Sequence, residues 1–150
     1  DVILSRADHL QSMFARHCVH TVLPYNAVPN WVYTFLQLCI GCEQWINDVK
    51  TVKQKTVVPA ISYEVGYPKN ELLLNDIEDS VHRVLKSYEE LEGDFTEAML
   101  NVFIYDCEWL TNAIDIWSTR ERAKTEFFAN EAKKKMEEEK KRTRMTSNPY

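Results

Sequence analysis

Glycine is nearly missing from this chain, with 3 in 150 residues, and proline is scarce at 5. A β-sandwich or barrel turns its chain many times and draws on those residues to do so, which excludes an all-β fold. The glycines stand singly, which excludes a Gly-rich phosphate cradle. No apolar run approaches the ~20 residues needed to span a bilayer. Cysteine stops at 4, too few for a disulfide scaffold. No Asn-x-Ser/Thr acceptor occurs, nor HExxH, GxSxG or a Ser/His/Asp order. The expectation is an intracellular protein, cytoplasmic or nuclear, with reduced thiols. The chain opens on Asp1 rather than Met, as expected of a fragment or processed form, and shows no signal-peptide pattern.

What is present describes a helical domain. Hydrophobic residues make up 45% and charged residues 27%, so disorder of the whole chain is excluded. The net charge of −5 is unevenly spread. Residues 131–144 carry seven Lys/Arg against four Glu, a net of +3, which leaves 11 basic against 19 acidic elsewhere, or −8. An acidic body with a basic tail argues against a nucleic-acid face on the body.

Periodicity predicts four helices. The first runs over about 2–22, with Ile3, Ala7, Leu10, Phe14 and Cys18 on one face. The second follows Pro29 with Asn30 as its N-cap, and Trp31, Phe35, Leu38, Cys42, Trp45, Val49 and Val52 alternate spacings of four and three, a bundle or coiled-coil stripe. Residues 53–69 break the pattern; Ile61, Tyr63, Val65 and Tyr67 alternate with period two, predicting an extended connection with one short strand. The third helix is capped by Asn70, carries Leu73, Ile77, Val81, Val84, Tyr88 and Leu91 on one face, and stops at Gly93. The fourth opens on an Asp94/Glu97 capping box, and no glycine or proline interrupts it before Asn148; a second capping box at Ser118–Glu121 offers one place to break. The predicted fold is all-α: an antiparallel bundle of about four helices, the fourth central, with domain 1–130 and a charged helical extension over 131–150.

Few residues suggest chemistry. Cys39-Ile-Gly-Cys42 and His17-Cys-Val-His20 together hold the ligand types of a tetrahedral zinc site. Yet Cys42 belongs to the apolar stripe, and zinc-site CxxC pairs usually sit on turns rather than mid-helix, so the expected reading is buried thiols and no metal. Asp79-x-x-His82 resembles half of a di-iron site, but no second half accompanies it. On helix four Phe95, Met99, Val102, Phe103, Trp109, Leu110, Ala113, Ile114 and Trp117 share one face, with Asp106 in its middle. A buried carboxylate must find partners; a tryptophan N–H, a tyrosine hydroxyl, Arg16 and a helix-one histidine are the candidates.

The leading expectation is a non-enzymatic interaction, scaffold or assembly domain without a cofactor. Its partner is another protein or, through oligomerisation, a second copy of itself. Tyr33, Leu36 and Ile40 on helix two, with Ile61, Tyr63 and Tyr67 of the connection, are the candidate partner surface or the packing between those two segments. Two alternatives stand beside it. One is a nucleic-acid-associated protein using Lys140, Lys141, Arg142 and Arg144 of the tail. The other is a metal-dependent bundle enzyme.

Overall fold

The structure, a computed structural model, describes residues 1–18, 23–52, 66–91 and 96–147. Four α-helices account for most of them: α1 (Val2–His17), α2 (Val28–Thr51), α3 (Asn70–Leu91) and α4 (Glu97–Ser147), with a single 3-10 turn at Tyr25–Ala27. There is no strand among the described residues, as the low glycine and proline content predicts. The expected strand lies mostly within 53–65, outside the described residues, as do Gly93, Asp94 and Phe95.

The helices form an up-down-up-down ring in which the packed pairs are α1–α2, α2–α3, α3–α4 and α4–α1. No helix is central, contrary to expectation for α4. A polar bridge crosses each seam and reports its antiparallel register: Arg6 to Asp48, Lys50 to Glu78, Arg83 to Asp106, and Arg122 to Asp8. Pairs in which both partners reach solvent, as all of these do except Arg83–Asp106 with its buried carboxylate, contribute roughly 0–1 kcal/mol each, so those three discriminate between registers more than they stabilise the fold.

Stability comes from the interior. Trp45 of α2 meets Trp117 of α4 edge-on, with ring centroids 5.0 Å apart. Nearer the other end of the bundle, Phe35 contacts both Phe14 and Phe103 at 6.2 and 5.9 Å. The Trp45–Trp117 and Phe35–Phe103 contacts join α2 to α4 diagonally across the ring, so the aromatic side chains fill its centre. The buried face of α2 is wider than the predicted stripe, because Val32, Leu36, Cys39 and Ile46 join it, while Val52 at the helix end is exposed. A helix flanked by two others buries two adjoining stripes rather than one.

Three helix ends differ from expectation. α1 stops at His17 instead of near Val22: Cys18 is already extended (φ −65°, ψ 120°), and its N–H closes the helix on the Phe14 carbonyl. α2 starts at Val28, so Asn30 lies inside its first turn and is not the cap. Pro29 is tolerated there because a first-turn N–H has no intrahelical partner to lose. The Thr96 hydroxyl caps α4, accepting the Met99 N–H at 3.2 Å, and the expected Asp94 cap lies outside the described residues. Asn70 opens α3 but is buried, and its side chain reaches across to α4 instead of capping its own helix.

α4 is continuous over 51 residues, about 76 Å at the usual helical rise. It runs through Ser118–Glu121 unbroken, because Ser118 turns its hydroxyl back onto the Asp115 carbonyl within the helix. The antiparallel pairing of Arg122 with Asp8 puts Val2, where α1 begins, at about the level of Phe128 along the bundle. Beyond that point α4 outruns α1, and residues 132–144 are all exposed. One ion pair there joins Glu131 to Lys134, three residues on, where the four-residue spacing would have favoured Lys135. Both spacings put side chains on the same helix face. Deleting 131–150 is expected to shift the melting temperature by less than about 2 °C, since almost no buried area goes with it; a larger fall in a thermal scan would mean that the segment packs on something.

Candidate functional site

Among the described residues the zinc-like constellation does not assemble. His17 stacks on Trp31 with centroids 4.6 Å apart. Its Nε2 lies 2.8 Å from the Trp31 carbonyl, while Trp31 Nε1 donates to the His17 carbonyl at 2.9 Å. A carbonyl only accepts, so Nε2 is the protonated nitrogen and is not open to a metal. Burial lowers the His17 pKa, against the opposing pull of that bond to Trp31. His20 lies outside the described residues. Cys39 and Cys42 are fully buried. Burial, helped by Cys42 and Asp106, raises Cys39 well above the ordinary thiol range; Cys42 is pushed up to about 12 by burial and then by Glu43. Both stay protonated at neutral pH, the opposite of what metal binding or direct attack on an oxidant requires. Among the described residues no group of three His, Cys, Asp or Glu side chains is placed to hold a metal ion. His82 is half exposed and pairs with Glu43 of α2 at 3.0 Å.

Two charged residues do enter the core, both on α4. Phe103, Asp106, Leu110, Ala113, Trp117 and Arg120 are all buried, at alternating spacings of three and four. They form one seam, with a charge near each end. Val102, expected on this face, is half exposed, because the seam is rotated toward Cys107 and α1. Asp106 is 3% exposed. Its partner is none of those expected: Arg83 of α3 donates to it at 2.9 Å, with the arginine side chain 60% exposed. Burial raises the Asp106 carboxyl above its usual value, and Arg83 pulls in the other direction.

Arg120, which the sequence reading missed, is 5% exposed. Its guanidinium donates to the carbonyls of Pro68 and Tyr67 and to Asn70 Oδ1. Asn70 in turn donates to the Trp117 carbonyl at 3.0 Å and to Glu121 at 2.9 Å. The chain entering α3 is thereby fastened to α4. It arrives through Gly66, whose φ of 91° suits glycine and strains other residues. A cleft of about 250 Å³ lies beside this clamp, between the end of α2 and the start of α3, lined in part by Val49, Lys50, Leu74 and Trp117. Its lining includes Lys50 and Asn70, already engaged by Glu78 and by α4 respectively.

The predicted partner surface divides. Leu36 is buried at 5% and belongs to the core, while Tyr33 and Ile40 are 62% and 39% exposed on the outer side of α2. Tyr67 is half-buried beside the Arg120 clamp; Ile61 and Tyr63 lie outside the described residues. Lys140, Lys141, Arg142 and Arg144 are exposed on the projecting end of α4. No protein-family model, curated protein or solved structure matches the chain. No helix among the described residues is long and apolar enough to cross a membrane.

Proposed function

We propose that the chain is a non-enzymatic interaction module, acting inside the cell as an adaptor, scaffold or assembly domain. The observation that carries this reading is α4, which continues past the end of its neighbour α1 as a fully exposed helix. A segment that adds nothing to the core still has a surface to offer. Tyr33 and Ile40 supply a second, apolar contact on the body. The buried charges support the same reading, since Asp106 and Arg120 are absorbed by structural partners.

The test compares the full chain with Tyr33→Ala/Ile40→Ser and with a chain lacking 131–150, by light scattering for self-association and by affinity capture for other partners. The expected result is that one or both variants lose an association the parent shows, at unchanged melting temperature. Identical association by all three proteins would rule the reading out.

The basic run supports a second reading. Lys140, Lys141, Arg142 and Arg144 lie within about 1.5 turns of exposed helix. If they contact nucleic acid, oligonucleotide binding falls steeply with salt and disappears with residues 131–150.

A further inference from the structure

We infer that Cys18 and Cys107 form a peroxide-responsive pair that closes into an intrachain disulfide and fastens the end of α1 to the middle of α4. Their sulfurs are 3.4 Å apart across the α1–α4 seam, from positions 89 residues apart in sequence. A disulfide needs about 2.05 Å, so the sulfurs must approach by roughly 1.4 Å. Cys18 is the better placed of the two to make that movement. It lies just beyond the last residue of α1 in extended conformation, tied to the helix only by its N–H bond to the Phe14 carbonyl. Cys107 is held mid-helix, its S–H directed at the Phe14 carbonyl 3.5 Å away.

The two thiols divide the chemistry by exposure. Cys18 is half-buried, whereas Cys39, Cys42 and Cys107 are fully enclosed, so a small oxidant in solution meets Cys18 first. Thr111 lies beside it: its hydroxyl donates to the Cys107 carbonyl at 2.9 Å, and its oxygen is 3.5 Å from the Cys18 sulfur. Cys18 becomes the nucleophile when it loses its proton to solvent. The Cys18 thiolate attacks one oxygen of hydrogen peroxide. The O–O bond breaks, and the departing hydroxide takes up a proton to become water. Cys18 is left as a sulfenic acid. The Cys107 sulfur then attacks the Cys18 sulfur; the S–S bond forms as the S–O bond breaks, and the hydroxide leaves with the Cys107 proton as a second water. Two thiols are oxidised and one peroxide is reduced to two waters. Burial, with Cys18 nearby, raises the Cys107 thiol pKa, so Cys107 does not compete for peroxide; its contact with the Cys18 sulfur is what lets it resolve the sulfenic acid, giving up its proton as the S–S bond forms.

The experiment exposes the folded full chain to a few equivalents of hydrogen peroxide, followed by non-reducing peptide mapping and a thermal scan. The expected product is a Cys18–Cys107 cross-link with Cys39 and Cys42 still reduced. The melting temperature should rise by roughly 10 °C, as expected for closing a loop of this length, and fall back on reduction. Cys18→Ser and Cys107→Ser should each remove both effects. The mapping of the unsubstituted chain decides the matter even if a serine variant folds poorly. Cys18 oxidised to sulfinic acid without a cross-link, a bond joining any other cysteines, or a Cys18–Cys107 bond that forms only in denaturant would each overturn the inference.

Discussion

Replacing Arg120 by methionine is expected to lower folding stability by about 2–4 kcal/mol, the range for stripping hydrogen bonds from buried polar groups. Methionine keeps most of the aliphatic stem, so the packing of the α4 seam survives and the loss falls on the donors. Three acceptors are affected: the carbonyls of Tyr67 and Pro68, and Asn70 Oδ1. Asn70 is itself buried, so water cannot readily replace the guanidinium there. Tyr67 and Pro68 are half-buried, which keeps the loss short of a full penalty for each group. Arg120→Lys should recover only part of it, because one ammonium does not match the spread of a planar fork. Chemical denaturation at neutral pH reads this directly. A loss below about 0.5 kcal/mol, the scale of ordinary surface substitutions, would show that the clamp is incidental.

The clamp also marks where the sequence stops being legible. The all-α architecture, the four helices and the burial of Asp106 are written in local periodicity: each follows from apolar residues recurring at three and four. Arg120 obeys the same rule, falling three residues after Trp117 in the seam. It is obscured because a Ser-x-x-Glu pattern around it also resembles a cap. Two hydrogen-bonding patterns compete at Ser118, and continuity of α4 decides between them. The choice of Arg83 over Arg16 for Asp106 is different in kind. It depends on which helix lies beside α4 at that level, and so on the register of a seam between helices distant in sequence. Helix ends suffer similarly: Cys18 leaves the helix at a point where tertiary contacts, with Trp31 gripping His17 and Cys107 facing Cys18, outweigh a continuing apolar pattern. Tyr33 and Leu36 are three residues apart, yet one is exposed and the other buried, because α2 is covered by α1 on one side and α3 on the other.

Arg83 and Asp106 should respond unequally to mutation, in a way that depends on pH. Removing the arginine leaves a carboxylate buried at 3% exposure without its ion-pair partner; removing the acid leaves an arginine that water can solvate, since it is 60% exposed. Arg83→Met is therefore expected to lose about 1–3 kcal/mol at pH 7. Asp106→Asn keeps the shape and an oxygen for Arg83 and should stay within about 1 kcal/mol of the parent, for the same reason. The sign of the pH effect follows from the raised carboxyl pKa, in which burial outweighs Arg83. An acid whose folded pKa exceeds its unfolded value, ~3.9, binds protons more readily in the native state. Its contribution to stability is complete below the unfolded value and is lost as pH rises through the folded one. Arg83→Met removes the opposing attraction, moves the folded pKa further up and widens that window. The deficit of Arg83→Met should thus be largest at neutral pH and shrink as pH falls toward 4. The double variant, which has no carboxylate to strand, should recover most of the neutral-pH loss. Urea denaturation of the four proteins at pH 4, 5.5 and 7 separates the cases. An Arg83→Met deficit that stays constant across this range, or an Asp106→Asn loss larger than that of Arg83→Met, would show that Asp106 is not held as a buried charge by Arg83.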